Sequence, residues 1–454
     1  MGSTEQTKPQ KISIGEMLGY GVGNFGSQFI YTTLGLFYVY FLTDVATVGA
    51  AIAGVIIFST RFLDALIDPI IGFFSDQTNS RWGQKRPYIL FGALPLAVAF
   101  ALLFIVPEFS QGGKIFYYIV MLLLMWVAYS VVSVPYNALL PNMTNDAQER
   151  SKVAGYYQVF TILALIIIGT FTKPFVAMYP VERSGWQMVG IIFGLVALAG
   201  FLITFFTAKE RYKASVDVRY KARQIAGLLF ANKPFVILCV VATCCFMGFT
   251  LMGAMLNYFF KYNLQNEGLF SVALGCVFLV AALSVPLWVL ISKKTGKKLV
   301  YFLGTGIYAL SMVMVYFART ADLAAIVPIF VAAGIGFGGM NLSIWSLVPD
   351  TVEYAQWKLG ARTEGIQYGV YVFITKLGAS ISMLFAGWGL DLSGYVANVS
   401  QSEGSLAGIR ILTSLAPAAF LVLGIIVLFF YPIDEKMHAQ MVREIEDRNR
   451  TAGA

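Results

Sequence analysis

Long apolar runs follow one another along this chain almost from end to end, separated by short polar connections that are often basic. Stretches such as Ile162 to Gly169 and Gly424 to Phe430 are apolar on every face, which suits helices in hydrocarbon and not the alternating strands of a barrel. The pattern predicts an all-α membrane protein with twelve spans, near residues 15–42, 48–75, 88–107, 114–141, 152–178, 187–208, 234–260, 268–292, 299–318, 323–349, 364–391 and 406–431. A bilayer core of about 30 Å takes roughly 20 helical residues, and each run comes close to that or exceeds it. The first run lies too far in and is too long for a cleavable signal peptide. The longest polar connection sits after the sixth span. The expected organisation is a six-helix bundle at 1–208, a cytoplasmic linker at 209–233, a second six-helix bundle at 234–431 and a cytoplasmic tail at 432–454.

Composition agrees: 58% of the 454 residues are hydrophobic and 12% charged, too much apolar surface for a water-soluble globule. The net charge of +8 reports topology. Of 32 lysines and arginines, 24 fall on the termini and the even-numbered connections. Lys114, Lys173, Arg183, Lys261, Arg319 and Arg410 fall on the other side, and Arg61 and Lys376 within spans. The positive-inside rule then places both termini in the cytoplasm of a bacterial cell, with the chain in its inner membrane among lipid. Basic residues spread over short loops do not form a nucleic-acid-binding stripe. Cys239, Cys244, Cys245 and Cys276 all sit in apolar spans, where thiols act as small hydrophobes, so neither a disulfide framework nor a metal site follows. The one histidine, His438, is in the tail, and neither a phosphate-cradling glycine-lysine loop nor a nucleophile flanked by a base is present. The expectation is a transporter and not an enzyme, acting as a monomer without a cofactor.

The halves match at corresponding places. Arg81-Trp82-Gly83-Gln84-Lys85-Arg86 follows the second span and Lys294-Thr295-Gly296-Lys297-Lys298 the eighth. Leu139-Leu140-Pro141 with Arg150 ends the fourth, and Leu347-Val348-Pro349 with Arg362 the tenth, as in transporters built from structural repeats.

Arg61, Asp64 and Asp68 in the second span lie three and four residues apart, on one helical face. An ionised side chain at the bilayer centre costs roughly 2.5–3.5 kcal/mol, so two carboxylates there need a compensating cation or a wet cavity. In one reading they hold sodium or a proton, with Ser130 or Ser133 completing the oxygen shell. In the other, Arg61 neutralises one carboxylate and Asp68 meets water at the helix end. Lys376, the matching charge in the second half, either faces the cavity, where it can pair with Asp64 or Asp68, or snorkels to the surface. Asp76, beside the basic loop with Arg81, suits a conformational latch. Arg150, Asp350, Glu353 and Arg362 join it as the expected gating set.

Asn24, Gln28, Tyr129, Asn137, Gln158, Asn341, Trp345, Gln367 and Tyr371 place amides, hydroxyls and aromatic faces at membrane depth. Together with Lys376 they could bind a sugar-sized solute, or each could bond helix to helix.

Asp64-Ala65-Leu66-Ile67-Asp68-Pro69, Ser80-Arg81-Trp82-Gly83-Gln84-Lys85-Arg86-Pro87 and Asp350-Thr351-Val352-Glu353-Tyr354 together resemble the glycoside–pentoside–hexuronide:cation symporters of the major facilitator superfamily, which include the melibiose and glucuronide permeases. The likeness runs nearly the whole chain, from Gly19-Tyr20-Gly21 to Tyr431-Pro432. It implies two six-helix bundles and sugar import, of a glycoside, uronide, sulfosugar or pentoside, driven by sodium, lithium or protons. Asp64 and Asp68 occupy the places of the cation-binding aspartates, Ser130 that of a hydroxyl ligand and Lys376 that of the cavity lysine. Gln28 and Ser133 stand where melibiose permease has aspartates, Asn137 where it has tryptophan and Gln158 where it has arginine, which leaves fewer acids beside Lys376 and favours an anionic sugar. Two alternatives stay open at this stage: a lysolipid or amphiphile carrier of the same fold, and a non-transporting membrane sensor.

Overall fold

The computed structural model describes residues 11–144, 146–212, 222–360 and 364–452. Regular structure among them is helical apart from one isolated bridge between Ser80 and Gly83. The chain divides into two compact units, Met1–Asp217 and Val218–Ala454.

In the first unit, α1 (Ile14–Tyr40) starts at a capping box, the Ser13 hydroxyl accepting from the Glu16 N–H while Glu16 reaches back to the Ser13 N–H. α2 (Ala50–Gln77), α3 (Arg86–Leu103), α4 (Gln111–Met143), α5 (Ala147–Ala177) and α6 (Glu182–Thr207) follow. The second unit holds α7 (Ala222–Ala231), α8 (Lys233–Tyr258), α9 (Gly268–Thr295), α10 (Lys297–Phe317), α11 (Leu323–Ser346), α12 (Val348–Leu359), α13 (Glu364–Leu392), α14 (Glu403–Thr413), α15 (Leu415–Phe429) and α16 (Glu435–Ala452). Eleven helical stretches among the described residues are long and apolar enough to cross a membrane. α1, with 27 residues, is as long, but glycine and polar side chains dilute its apolar character, and it is the twelfth span.

Four elements depart from the expected spans. The last one is broken at Ser414 (φ −124°, ψ −73°), where the hydroxyl donates to the Arg410 carbonyl, giving α14 and α15. The tenth ends at Ser346 and its continuation turns into the separate helix α12. The linker carries α7, and the tail carries α16. That tail packs on α12: the Trp357 indole donates to Glu444 at 2.6 Å, Arg448 donates to the Trp357 carbonyl, and Met441 is fully buried. The Trp357 hydrogen bond, helped by the Gln440 amide and the Arg448 charge, holds the Glu444 carboxyl below the usual carboxylate range.

The repeat extends to irregular backbone. α1 ends in a π-helical turn, Phe41–Val45, and α8 in another, Phe259–Asn263. Each is followed two residues later by a left-handed residue, Thr47 (φ +59°) and Gln265 (φ +52°). The basic loops match as well. Gly83 (φ +106°) and Gly296 (φ +89°) each turn the chain into the next helix, with Glu210 against the first and Glu435 against the second. Glu210 accepts from the backbone N–H groups of Gln84, Lys85 and Arg86, at 2.7–2.9 Å, which satisfies the free donors that open α3.

Lipid supplies no hydrophobic force between helices, so packing depends on close backbone approach. A Cβ on Gly200 of α6 would lie 2.7 Å from the Val22 carbonyl oxygen of α1, and one on Gly26 would lie 2.8 Å from the Ala197 Cα. The α10–α11 contact is tighter: a Cβ on Gly336 would stand 2.4 Å from the Tyr308 nitrogen.

Candidate functional site

The charged face of α2 meets α4 inside the first unit. Asp64 is buried, its side chain fully so, and Asp68, one turn on, is half-buried. The Ser130 hydroxyl of α4, itself buried, lies 2.6 Å from Oδ1 of Asp64 and 2.6 Å from Oδ1 of Asp68. A hydroxyl has one proton and can donate it to one of these oxygens only. The other contact, between oxygens so close, is favourable only if a carboxyl carries a proton or a cation is shared. Pro69 adds a further oxygen: lacking an N–H, it leaves the Ala65 carbonyl without its helical donor. Ser133 is buried one turn beyond Ser130 and makes no hydrogen bond to either carboxylate among the described residues.

Arg61 stands on the same face, 7% exposed. Its guanidinium carbon lies 3.7 Å from the centre of the Trp126 ring and 4.6 Å from that of Tyr31. One of its nitrogens is 3.9 Å from Oδ2 of Asp64, beyond hydrogen-bonding range. Aromatic faces thus carry much of the solvation that this cation loses on burial. With all three groups ionised, Arg61, Asp64 and Asp68 sum to one negative charge. Tyr31 and Trp126 are functional neighbours that sequence reasoning does not single out. Trp126 is within its reach, standing four residues before Ser130 and so on the same face.

The expected sugar ligands fall into two groups. Asn24 is buried and donates to the Tyr157 carbonyl (3.0 Å) and the Thr161 hydroxyl (2.5 Å), which ties α1 to α5. Gln367 accepts from Asn232 (3.3 Å) and Thr351 (3.2 Å), and the Tyr371 hydroxyl donates to the Ile344 carbonyl (3.2 Å). The Tyr129 hydroxyl is 2.9 Å from that of Ser27, and Gln28 accepts from Thr32 (3.1 Å). Each of these groups makes a hydrogen bond within its own unit. Asn137 and Gln158 are exposed on unit 1; Trp345, 38% exposed, meets Tyr371 edge-on at 5.2 Å, with Asn341 half-buried one turn earlier on α11. Lys376 is half-buried on α13.

At the helix ends, Asp76 bonds Lys85, not Arg81; Lys85 is buried and also donates to the Ser75 hydroxyl (3.0 Å). Arg81 is exposed and stacks on Trp82 at 4.2 Å. Asp350 accepts from Lys297 at 2.6 Å, and His438 of the tail sits 2.7 Å from Glu353 and 3.5 Å from Asp350. Arg150 is exposed and donates to the Thr144 carbonyl at 3.3 Å, while Arg362 lies outside the described residues.

A family model described as MFS/sugar transport protein matches residues 19–435. The chain belongs to that family. An uncharacterized symporter of Bacillus subtilis, YnaJ, is 33% identical over 97% of this chain and 96% of its own length. A glucuronide carrier protein homolog of Escherichia coli is 29% identical over 97% of each. Among solved structures, a mutant of the nucleoside transporter NupG superposes with a TM-score of 0.67 over 91% of this chain and 99% of its own, at 14% identity, a likeness of fold. This family member is a multi-pass secondary sugar transporter of the major facilitator fold and not an enzyme.

Proposed function

We propose that this transporter imports an acidic sugar together with one cation, sodium or a proton, held by Asp64, Asp68 and Ser130. The observation that carries the reading is the single Ser130 hydroxyl 2.6 Å from both carboxylates, whose one proton can serve only one of them. A bound cation offsets carboxylate charge, so α2 and α4 can stay packed in hydrocarbon through the conformational change. When the cation leaves, Arg61 is the neighbour 3.9 Å from Asp64, and a small movement off Trp126 would let it compete for that carboxylate. Lys376 would take the acidic group of the sugar at membrane depth. Support for an acidic cargo comes from the relative named a glucuronide carrier homolog and from the neutral Gln28 and Ser133. The distribution of basic residues supports an inner-membrane protein with both termini cytoplasmic.

Right-side-out vesicles given labelled glucuronide or xyloside under sodium or proton gradients test this. Uptake of the glucuronide driven by one gradient is expected, and saturable uptake of the xyloside alone contradicts the acidic cargo. Ser130→Ala should raise the half-saturating concentration of the driving cation about tenfold, the scale of one lost ligand to a charged group. An unchanged cation dependence would remove Ser130 from the site.

A further inference from the structure

The second unit has a hollow at the end of α8 and α13 away from α12 and α16, of about 450 Å³. On the orientation proposed above, it opens to the outside. Its volume is within the roughly 300–1,000 Å³ of small-molecule sites. Lys261, Tyr262, Gln265, Asn398, Ser400 and Gln401 bring side chains that exchange hydrogen bonds, and Val399 and Leu406 add apolar surface. Among the described lining residues Lys261 carries the one charge.

Gln265, Asn398 and Ser400 are exposed, and hydrogen bonds tie several of the lining groups to one another. The Lys261 ammonium donates to Asn398 Oδ1 at 2.8 Å, and the Asn398 N–H donates to the Tyr262 hydroxyl at 2.9 Å. Tyr262 packs on Tyr395 with ring centres 5.5 Å apart, fixing the loop after α13 to the π-helical turn after α8. The Gln401 amide holds the same loop through the Val396 and Val399 carbonyls. Asn398 adopts φ +59° within it, a conformation asparagine tolerates better than most residues. Gln265 is also left-handed, but Thr47 shares that geometry in the other repeat, so only the Asn398 turn is particular to this hollow.

Amides and hydroxyls suit a polyol, because each can donate to or accept from a sugar hydroxyl, and a tyrosine face suits the apolar side of a pyranose. An ammonium adds preference for a negative substituent. We propose that this hollow is an outward-facing subsite for an anionic pyranoside, with Lys261 taking its carboxylate or sulfonate and Asn398 and Gln265 its hydroxyls, while Gln401 only holds the loop. The proposal rests on the import of an acidic sugar proposed above: the subsite concentrates that cargo on the outward face before it is carried across.

The test compares uptake of 4-nitrophenyl glucuronide and 4-nitrophenyl glucoside by vesicles carrying the unaltered protein, Lys261→Gln and Lys261→Arg. Lys261→Gln should raise KM for the glucuronide about tenfold more than KM for the glucoside, and Lys261→Arg should restore most of the difference. An equal shift for both sugars, or none, overturns the subsite. Should the unaltered protein take up neither compound, the import reading fails first, and saturation-transfer NMR of the glucuronide on purified protein decides the subsite separately. Transfer weakened in Lys261→Gln and kept in Lys261→Arg supports it, and equal transfer in all three overturns it.

Discussion

Asp64→Asn is expected to bring the steady-state sugar ratio across the membrane to about one, the value for a carrier without energetic coupling. An anionic sugar and one monovalent cation cross together without net charge, so the driving force is the cation's concentration gradient, and a tenfold gradient, about 1.4 kcal/mol, supports about tenfold accumulation in the coupled protein. The substitution keeps the shape of a buried side chain but removes the charge that a cation would neutralise. The site then carries one negative charge less when no cation is bound, so the carrier can cycle without the ion. Exchange of external for internal sugar should therefore survive, which also shows that the variant folds. Normal accumulation by Asp64→Asn, measured in energised vesicles, would take Asp64 out of the mechanism.

Gly336→Val should cost the protein most of its stability. The three atoms nearest a Cβ at that position are the Tyr308 nitrogen (2.4 Å), the Gly304 oxygen (2.7 Å) and the Tyr308 Cα (2.8 Å). All are backbone, so no side-chain rotation can relieve the overlap, and α10 must move away from α11. Overpacked cores typically lose about 1–3 kcal/mol, and a contact between two main chains belongs at or above the upper end of that range. A drop of several degrees in the melting temperature in detergent is expected, with loss of monodisperse protein. Gly306→Val is the control, since a Cβ there meets nothing within 4 Å. Equal melting of the two variants would contradict the packing argument.

How much of the molecule is legible in the sequence follows from how each signal arises. A run of some twenty apolar residues is stable as a helix in lipid and in few other settings, so the spans can be placed within a few residues. The break at Ser414 and the separate α12 cannot, because both lie within or beside apolar sequence and depend on one residue's dihedral angles. Asp64, Asp68 and Ser130 are legible because charge at that depth is costly, and the helical period puts the acids on one face. Trp126 and Tyr31 do not stand out, since aromatic residues are common in spans and only their positions over Arg61 distinguish them. Polarity at depth marks Asn24, Gln367 and Tyr371 as sugar ligands, but helix-to-helix hydrogen bonds produce the same signal, and each of them makes such a bond, so polarity by itself does not separate the two roles. The sequence places Asp76 beside the basic loop without saying which base it meets, and the turn at Gly83 brings Lys85 to it.

The central claim is that Asp64 and Asp68, bridged by Ser130, take up one positive charge in each cycle. Infrared difference spectroscopy of purified protein, stepped between high and low sodium and between acid and alkaline pH, observes these carboxyl groups themselves. The account predicts a carboxyl or carboxylate band that shifts with one of the two cations and disappears in Asp64→Asn. A spectrum in which every cation-dependent carboxyl band persists in that variant would contradict it.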